Sequence, residues 1–163
     1  MDQKYKEAAD YYGFHCQGCE DNCCLTRFYH HTFLEYFYIL NGFGTLDAEM
    51  QKSIRQRASE VSKKMNAESR LMCPLNVEGL CVLYAYRPMI CRLHGISHEL
   101  QKPGQPAIFS PGCEVFTKLA EGKRYFKFDR TPFYMEMAGL ESEANAEINT
   151  QKLKMTVAQM LSS

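Results

Sequence analysis

Phe14-His15-Cys16-Gln17-Gly18-Cys19-Glu20-Asp21-Asn22-Cys23-Cys24 places four thiols within nine residues and closes on an adjacent pair. In Cys16-Gln17-Gly18-Cys19 the two-residue spacer, with Gly18 free to turn, predicts a knuckle that aims both sulfurs at one centre. Glu20, Asp21 and Asn22 then form a polar turn. Adjacent side chains of an extended backbone point to opposite faces, so Cys23 and Cys24 either serve two centres or one of them is structural. Four further cysteines, Cys73, Cys81, Cys91 and Cys113, bring the total to eight. The expected architecture is an irregular cysteine-lined centre with other elements packed around it.

Working outward, 163 residues with 45% apolar and 23% charged side chains suit one domain with a core of its own. Lys plus Arg and Asp plus Glu both total 19, so no net charge draws the chain to nucleic acid or acidic lipid. The opening residues, Met1 to Gly13, have no apolar signal core, and no run approaches the roughly 20 apolar residues of a membrane span. The expectation is a soluble, cytoplasmic protein. Disulfides do not persist in a reducing cytosol, so metal ligation is the favoured account of the eight thiols. Disulfides and inert buried thiols are the alternatives.

Residues 2 to 12 read as a short helix with Tyr5, Ala8, Ala9 and Tyr12 on one side, stopped by Gly13. Leu25 to His31 reads as extended. His30 and His31 lack an acidic or thiol partner at helical spacing and read as half-exposed capping residues. A core helix from Thr32 to Leu40 shows Phe33, Phe37 and Leu40 on one face, with Asn41-Gly42 ending it. Thr45 caps the clearest helix, Leu46 to Glu68, whose narrow stripe is Leu46, Met50, Ile54, Ala58, Val61 and Met65.

The second cysteine region runs from Met72 to Gly95. Glu78-Gly79 predicts a turn and Leu80 to Tyr86 a short strand through Cys81. Pro88 suits the start of a helical turn, which presents Cys91 near a helix N-terminus, where its thiolate is favoured. Arg87 and Arg92 flank Cys91 and are candidates to offset the charge of a multi-thiolate centre. His94 is the best non-cysteine ligand candidate, and His15 a weaker one. A loop rich in proline and glycine, 101 to 113, delivers Cys113 from a bend, as though to meet the other thiols. A short strand near 125 to 128 follows. Thr131-Pro132 then opens a helix with a stripe of Phe133, Met137, Leu140, Ala144 and Ile148, and a final helix spans Lys152 to Leu161.

The fold class expected is therefore α+β, mostly α-helical: a single small domain over 1–163 with irregular cysteine-rich metal-binding loops and few short strands. Its cysteine-cluster core is 14–113, with a C-terminal helical region at 130–161.

The pattern CxxC-x3-CC, then Cys73-Pro74, Gly79-Leu80-Cys81-x-x-Tyr84 and Arg87-Pro88-x-x-Cys91-Arg92, resembles the bacterial cysteine-cluster family described as zinc- or iron-chelating proteins. The resemblance covers about Phe14 to Cys113. It implies that Cys16, Cys19, Cys23, Cys24, Cys73, Cys81 and Cys91 match the family's cysteines, with Cys113 as an eighth. Residues 19 to 24 are also similar to the cysteine region of flagellin lysine methylases, which are associated with an iron-sulfur cluster. The long C-terminal region of those methylases has no counterpart here.

Zinc takes four ligands in a tetrahedron, and eight cysteines would make two such sites. A cubane iron-sulfur cluster also takes four thiolates. Composition does not separate them, and zinc is the expected occupant after aerobic handling. No nucleotide-binding glycine loop and no Ser-His-Asp set is present. The function expected is a metal-binding protein holding zinc or an iron-sulfur centre. The alternative is an iron-sulfur-dependent redox or protein-modifying, methylase-like component acting with a protein or small-molecule partner.

Overall fold

The computed structural model describes residues 1–15, 23–68, 70–148 and 153–162. Among them are seven α-helices and two small antiparallel two-stranded sheets, which is the mostly helical α+β class expected. Helix α1 (Asp2–Tyr12) buries Ala8, Ala9 and Tyr12, and Gly13 ends it in the left-handed conformation at φ 68°, which a side chain would resist. Its stripe matches the sequence reading.

Helix α2 (Phe33–Gly44) starts at Thr32, whose hydroxyl accepts from the Glu35 amide and donates to the Glu35 carboxylate at 2.8 Å. A second carboxylate, Glu141, accepts from the Phe33 and Leu34 amides at 2.7 and 3.1 Å, so one acid and the Thr32 hydroxyl satisfy the first amides of this positive helix end. The helix runs through Asn41-Gly42 rather than stopping there, because Thr45 closes it by bonding back to Gly42. Its buried face is also rotated from the one expected. Glu35, Ile39, Gly42 and Phe43 turn inward, while Phe37 is 53% exposed. Gly42 faces inward because Tyr86 lies against it, where an added Cβ would stand 2.3 Å from the ring.

Helix α3 (Ala48–Lys64) is capped by Asp47, which accepts from the Met50 amide at 2.8 Å, rather than by Thr45. Strands β1 (Asn76–Val77) and β2 (Leu80–Cys81) form a hairpin across Glu78 and Gly79, both at positive φ, as a two-residue turn of this hand requires. The longer strand expected to Tyr86 is replaced by a 3-10 turn at Tyr84–Tyr86. Helix α4 (Met89–Leu93) follows Pro88.

Strands β3 (His98–Leu100) and β4 (Ile108–Ser110) pair within the region read as loop, and helix α5 (Glu114–Ala120) follows. The strand expected at 125 to 128 reduces to one bridge between Asp129 and Glu99. Helix α6 (Thr131–Ile148) and helix α7 (Val157–Ser162) complete the order, α7 starting later than expected. Of the α6 stripe, Phe133 and Met137 pack inward, whereas Leu140 is half exposed. The Ile148 side chain and Lys152 lie outside what is described.

Two apolar clusters hold these parts together. One joins α1, α4, Ile96, Phe116 and Phe128. The other joins Ile39 and Phe43 of α2, Ile54 and Ala58 of α3, Leu75, Leu83 and α7, with Cys73 and Cys81 packed against it. No described helix is long and apolar enough to cross a membrane.

Candidate metal centre

The Cys24 turn, distant in sequence, and three closely spaced elements of the second cysteine region converge beside the second apolar cluster. The 3-10 turn Cys23–Leu25 supplies Cys24, whose carbonyl accepts from the Cys73 amide at 2.9 Å. Cys73 precedes the β1–β2 hairpin, Cys81 ends its second strand, and Cys91 lies on α4. All four are half-buried, and all four line one cavity of about 170 Å³. Its other walls include Val61 and Met65 after the α3 stripe, Leu80, and Val157 and Ala158 of α7. Cys73, Cys81, Cys91 and Cys113 form no disulfide.

The thiols feel one another. Burial pushes the Cys73 thiol up to about 12, and charge on Cys24 or Cys81 adds to it. Burial likewise raises Cys81, with Cys24 adding. Cys91 is raised by burial and then by Cys73, Cys81 and Cys24. The sequence reading expected a helix N-terminus to favour the Cys91 thiolate. In the folded chain α4 spans only five residues and burial wins over any dipole. Empty of cations, the cavity thus favours neutral thiols. A bound metal would have to displace their protons.

Arg87 lines the cavity and partly opposes the upward shifts of Cys81 and Cys91. Its guanidinium stacks 3.6 Å from the Tyr84 ring centroid while its Nε donates to the Tyr84 carbonyl at 3.1 Å, which fixes the charge at the rim. Arg92 does not share this role. It points instead to Asp2, Tyr38 and the carbonyls of Ala85 and Arg87. Arg27, also in the lining, ties the Cys24 segment to the end of α3 through the Met65 and Glu68 carbonyls.

The other proposed ligands fall elsewhere. Cys113 is not brought to the four. Its sulfur caps α5 by accepting from the Phe116 amide at 3.4 Å, and its own amide donates to the Gly95 carbonyl. That cap, together with Gly112 packed against Gly95 and Phe116, accounts for the tight bend before it. Cys16 and Cys19 lie outside the described residues, as does the Cys23 side chain. The His94 ring packs edge-on against Phe28 at 5.2 Å and lines neither large cavity. His15 is exposed.

His30 is the residue that pattern reading missed. Rather than a half-exposed cap, it is 2% exposed, its backbone paired with Met155, and it lines the thiol cavity. It also lines a second cavity of about 640 Å³ with Glu35, Tyr134 and Glu141, and so forms a wall common to both. Its Nδ1 stands 3.8 Å from the Glu35 carboxylate. Glu35 itself is buried, which raises its pKa, but His30, the Thr32 hydroxyl and the Met89 amide outweigh this and the net shift is downward. His31 is exposed, at the edge of the second cavity.

Among the described residues, no three His, Cys, Asp or Glu side chains already meet at single-ion spacing. The four thiols instead share the lining of one cavity with apolar residues. A zinc tetrathiolate would need them drawn in to sulfur separations of roughly 3.8 Å, the edge of a tetrahedron with Zn–S near 2.3 Å. The donor set itself, four thiols with an arginine at the rim, fits a soft, cationic centre. No protein-family model, curated protein or solved structure matches this chain.

Proposed function

We propose that this protein binds a thiolate-ligated metal centre through Cys24, Cys73, Cys81 and Cys91, with Cys16, Cys19 and Cys23 as further candidates from the adjoining loop. The observation that carries the reading is that four thiols from four separate segments line a single cavity. Inert thiols acting as small hydrophobes have no reason to gather. The resemblance of the cysteine spacing to that of zinc- or iron-chelating proteins points the same way.

Zinc and an iron-sulfur cluster both suit the donors. A cavity of about 170 Å³ in which no three of the described donors already meet at single-ion spacing favours the larger iron-sulfur core, and zinc is the ion expected to replace it after aerobic handling. When bound, such a core supplies one-electron transfer or an activating Lewis-acid site. The chain's part is to hold the thiolates, place Arg87 against their charge, and exclude water with the apolar walls. The second cavity across His30 favours chemistry at the centre over a purely structural ion, in line with a redox or protein-modifying component.

The test is anaerobic purification, a visible spectrum, and iron, zinc and acid-labile sulfide measured on one sample, with Cys73→Ser alongside. Matching iron and sulfide, or stoichiometric zinc, that falls sharply in Cys73→Ser supports the proposal. Wild-type protein without metal, folded and with every thiol titrating, overturns it.

A further inference from the structure

His30 presents a chemical problem that the described residues leave open. Both of its ring nitrogens are buried, and among the described residues neither has a partner at hydrogen-bond distance, the Glu35 carboxylate standing 3.8 Å from Nδ1. A buried imidazole left this way carries a desolvation cost with no hydrogen bond to offset it. The Thr32 cap and the Met155 bridge nevertheless hold the segment in place on either side. The ring's orientation narrows what could satisfy it. Glu35 lines the second cavity but not the thiol cavity, and the ion-pair contact to it is made by Nδ1. A carboxylate accepts and does not donate, so Nδ1 is the nitrogen that carries the proton toward it. Nε2 then holds the lone pair and is the nitrogen left over for the thiol cavity, which His30 also lines.

A carboxylate that fixes an imidazole tautomer so that the other nitrogen faces a metal is the usual outer support of histidine ligands. We propose that His30 Nε2 is a nitrogen donor to the metal of the thiol cavity, with Glu35 as its positioning residue through Nδ1–H. The centre is then a mixed thiolate–imidazole site, in which five donors compete for positions and one can be given up to an incoming ligand. This rests on the metal-binding reading above and deepens it. No other described histidine has both a buried carboxylate beside one nitrogen and a place in the thiol cavity's lining.

Cobalt(II) is a suitable probe, because its absorption reports thiolate ligands and its paramagnetism shifts protons of a bound imidazole far from the diamagnetic range. The full chain is loaded anaerobically with one equivalent of cobalt(II). We expect a thiolate-to-cobalt charge-transfer band, together with one hyperfine-shifted proton resonance that disappears in D₂O, the Nδ1–H of His30. His30→Ala should keep the charge-transfer band and lose that resonance. Glu35→Gln retains the ring but weakens the acceptor, and should broaden the resonance through faster solvent exchange. It also keeps the proposal testable if His30→Ala fails to fold. A charge-transfer band with no exchangeable shifted proton in the wild type overturns the role of His30 while leaving the thiolate centre intact, as does a resonance unchanged in both variants. Absence of the charge-transfer band itself overturns the underlying metal reading.

Discussion

Gly42→Ala sets two known effects against each other, and the structure says which wins. Gly42 lies inside α2, where alanine is the better helix former by about 1 kcal/mol, so propensity alone predicts stabilisation. An added Cβ, however, would stand 2.3, 2.6 and 2.7 Å from Cγ, Cδ2 and Cβ of Tyr86. An ordinary contact needs about 1 Å more, and the atoms met are the root of the Tyr86 side chain, which cannot swing aside without its backbone. Tyr86 also packs on the Tyr38 ring at 5.2 Å, one turn before Gly42 on α2, and the preceding carbonyl, Ala85, accepts from Tyr38 and Arg92. Overpacking of this kind costs typically 1–3 kcal/mol and occasionally more. With the closest approach so short, the upper end applies, leaving a net loss of about 2 kcal/mol after the propensity gain. For a chain of this size that lowers Tm by roughly 4–8 °C. Calorimetry or circular dichroism on metal-free protein checks it. In a Tyr86→Ala background the two closest atoms are gone and only Cβ of residue 86 remains in the way, at 2.7 Å, so the penalty of Gly42→Ala should shrink to well below its value with Tyr86 in place. A wild-type or higher Tm for Gly42→Ala with Tyr86 in place would refute the reasoning.

Two further expectations concern buried ionisable groups. Because burial raises the folded-state pKa of Cys73 to about 12 and also raises Cys81 and Cys91, the metal-free protein keeps their full contribution below about pH 9. It loses stability as pH rises through the folded values, by about 1.4 kcal/mol per unit for each thiol held protonated. Denaturant titrations from pH 8 to 11 should show this decline, and metal-loaded protein, its thiols already deprotonated, should show much less. A flat apo profile would contradict the burial assigned to these thiols. The second concerns Arg130, 3% exposed, whose Nε and Nη2 have no hydrogen-bond partner among the described residues. Its desolvated charge holds its own pKa down at about 10 and, after burial, helps press His98 to about 4. Arg130→Met should raise Tm by the equivalent of about 1–3 kcal/mol and let the His98 pKa, followed by NMR, climb toward its ordinary value. A lower Tm with His98 unmoved would show that the guanidinium is compensated after all.

The sequence disclosed most where local chemistry decides. The stripe and glycine stop of α1, the Ile54 and Ala58 face of α3, and the Glu78-Gly79 turn all follow from spacing and backbone preference. That Cys24, Cys73, Cys81 and Cys91 share one cavity was legible in part from the number and spacing of the cysteines. What stayed hidden depends on contacts through space. Helix α2 is aromatic on several sides, so periodicity did not reveal that Glu35 rather than Phe37 faces inward. Cys113 read as a ligand because nothing nearby in sequence shows that its sulfur caps α5. His30 gave no signal at all: its carboxylate lies five positions on, across a helix cap, and its burial depends on Met155.

The four cavity thiols sit on four different segments, and this sets an order of events. A zinc finger with paired local ligands can grip its ion before the rest of the chain is organised. Here Cys24, Cys73, Cys81 and Cys91 are neighbours only after the hairpin, α4 and α7 have docked, since α7 supplies part of the wall. Cys73, Cys81 and Cys91 follow one another at short spacing, but Cys24 is far from them in sequence, and bringing it in first would mean closing a long loop with no compensating contacts. On the proposed function, a metal held by all four would be captured by a chain that has already folded. The refolding rate should therefore be indifferent to metal concentration, while loading proceeds as a separate step, first order in metal.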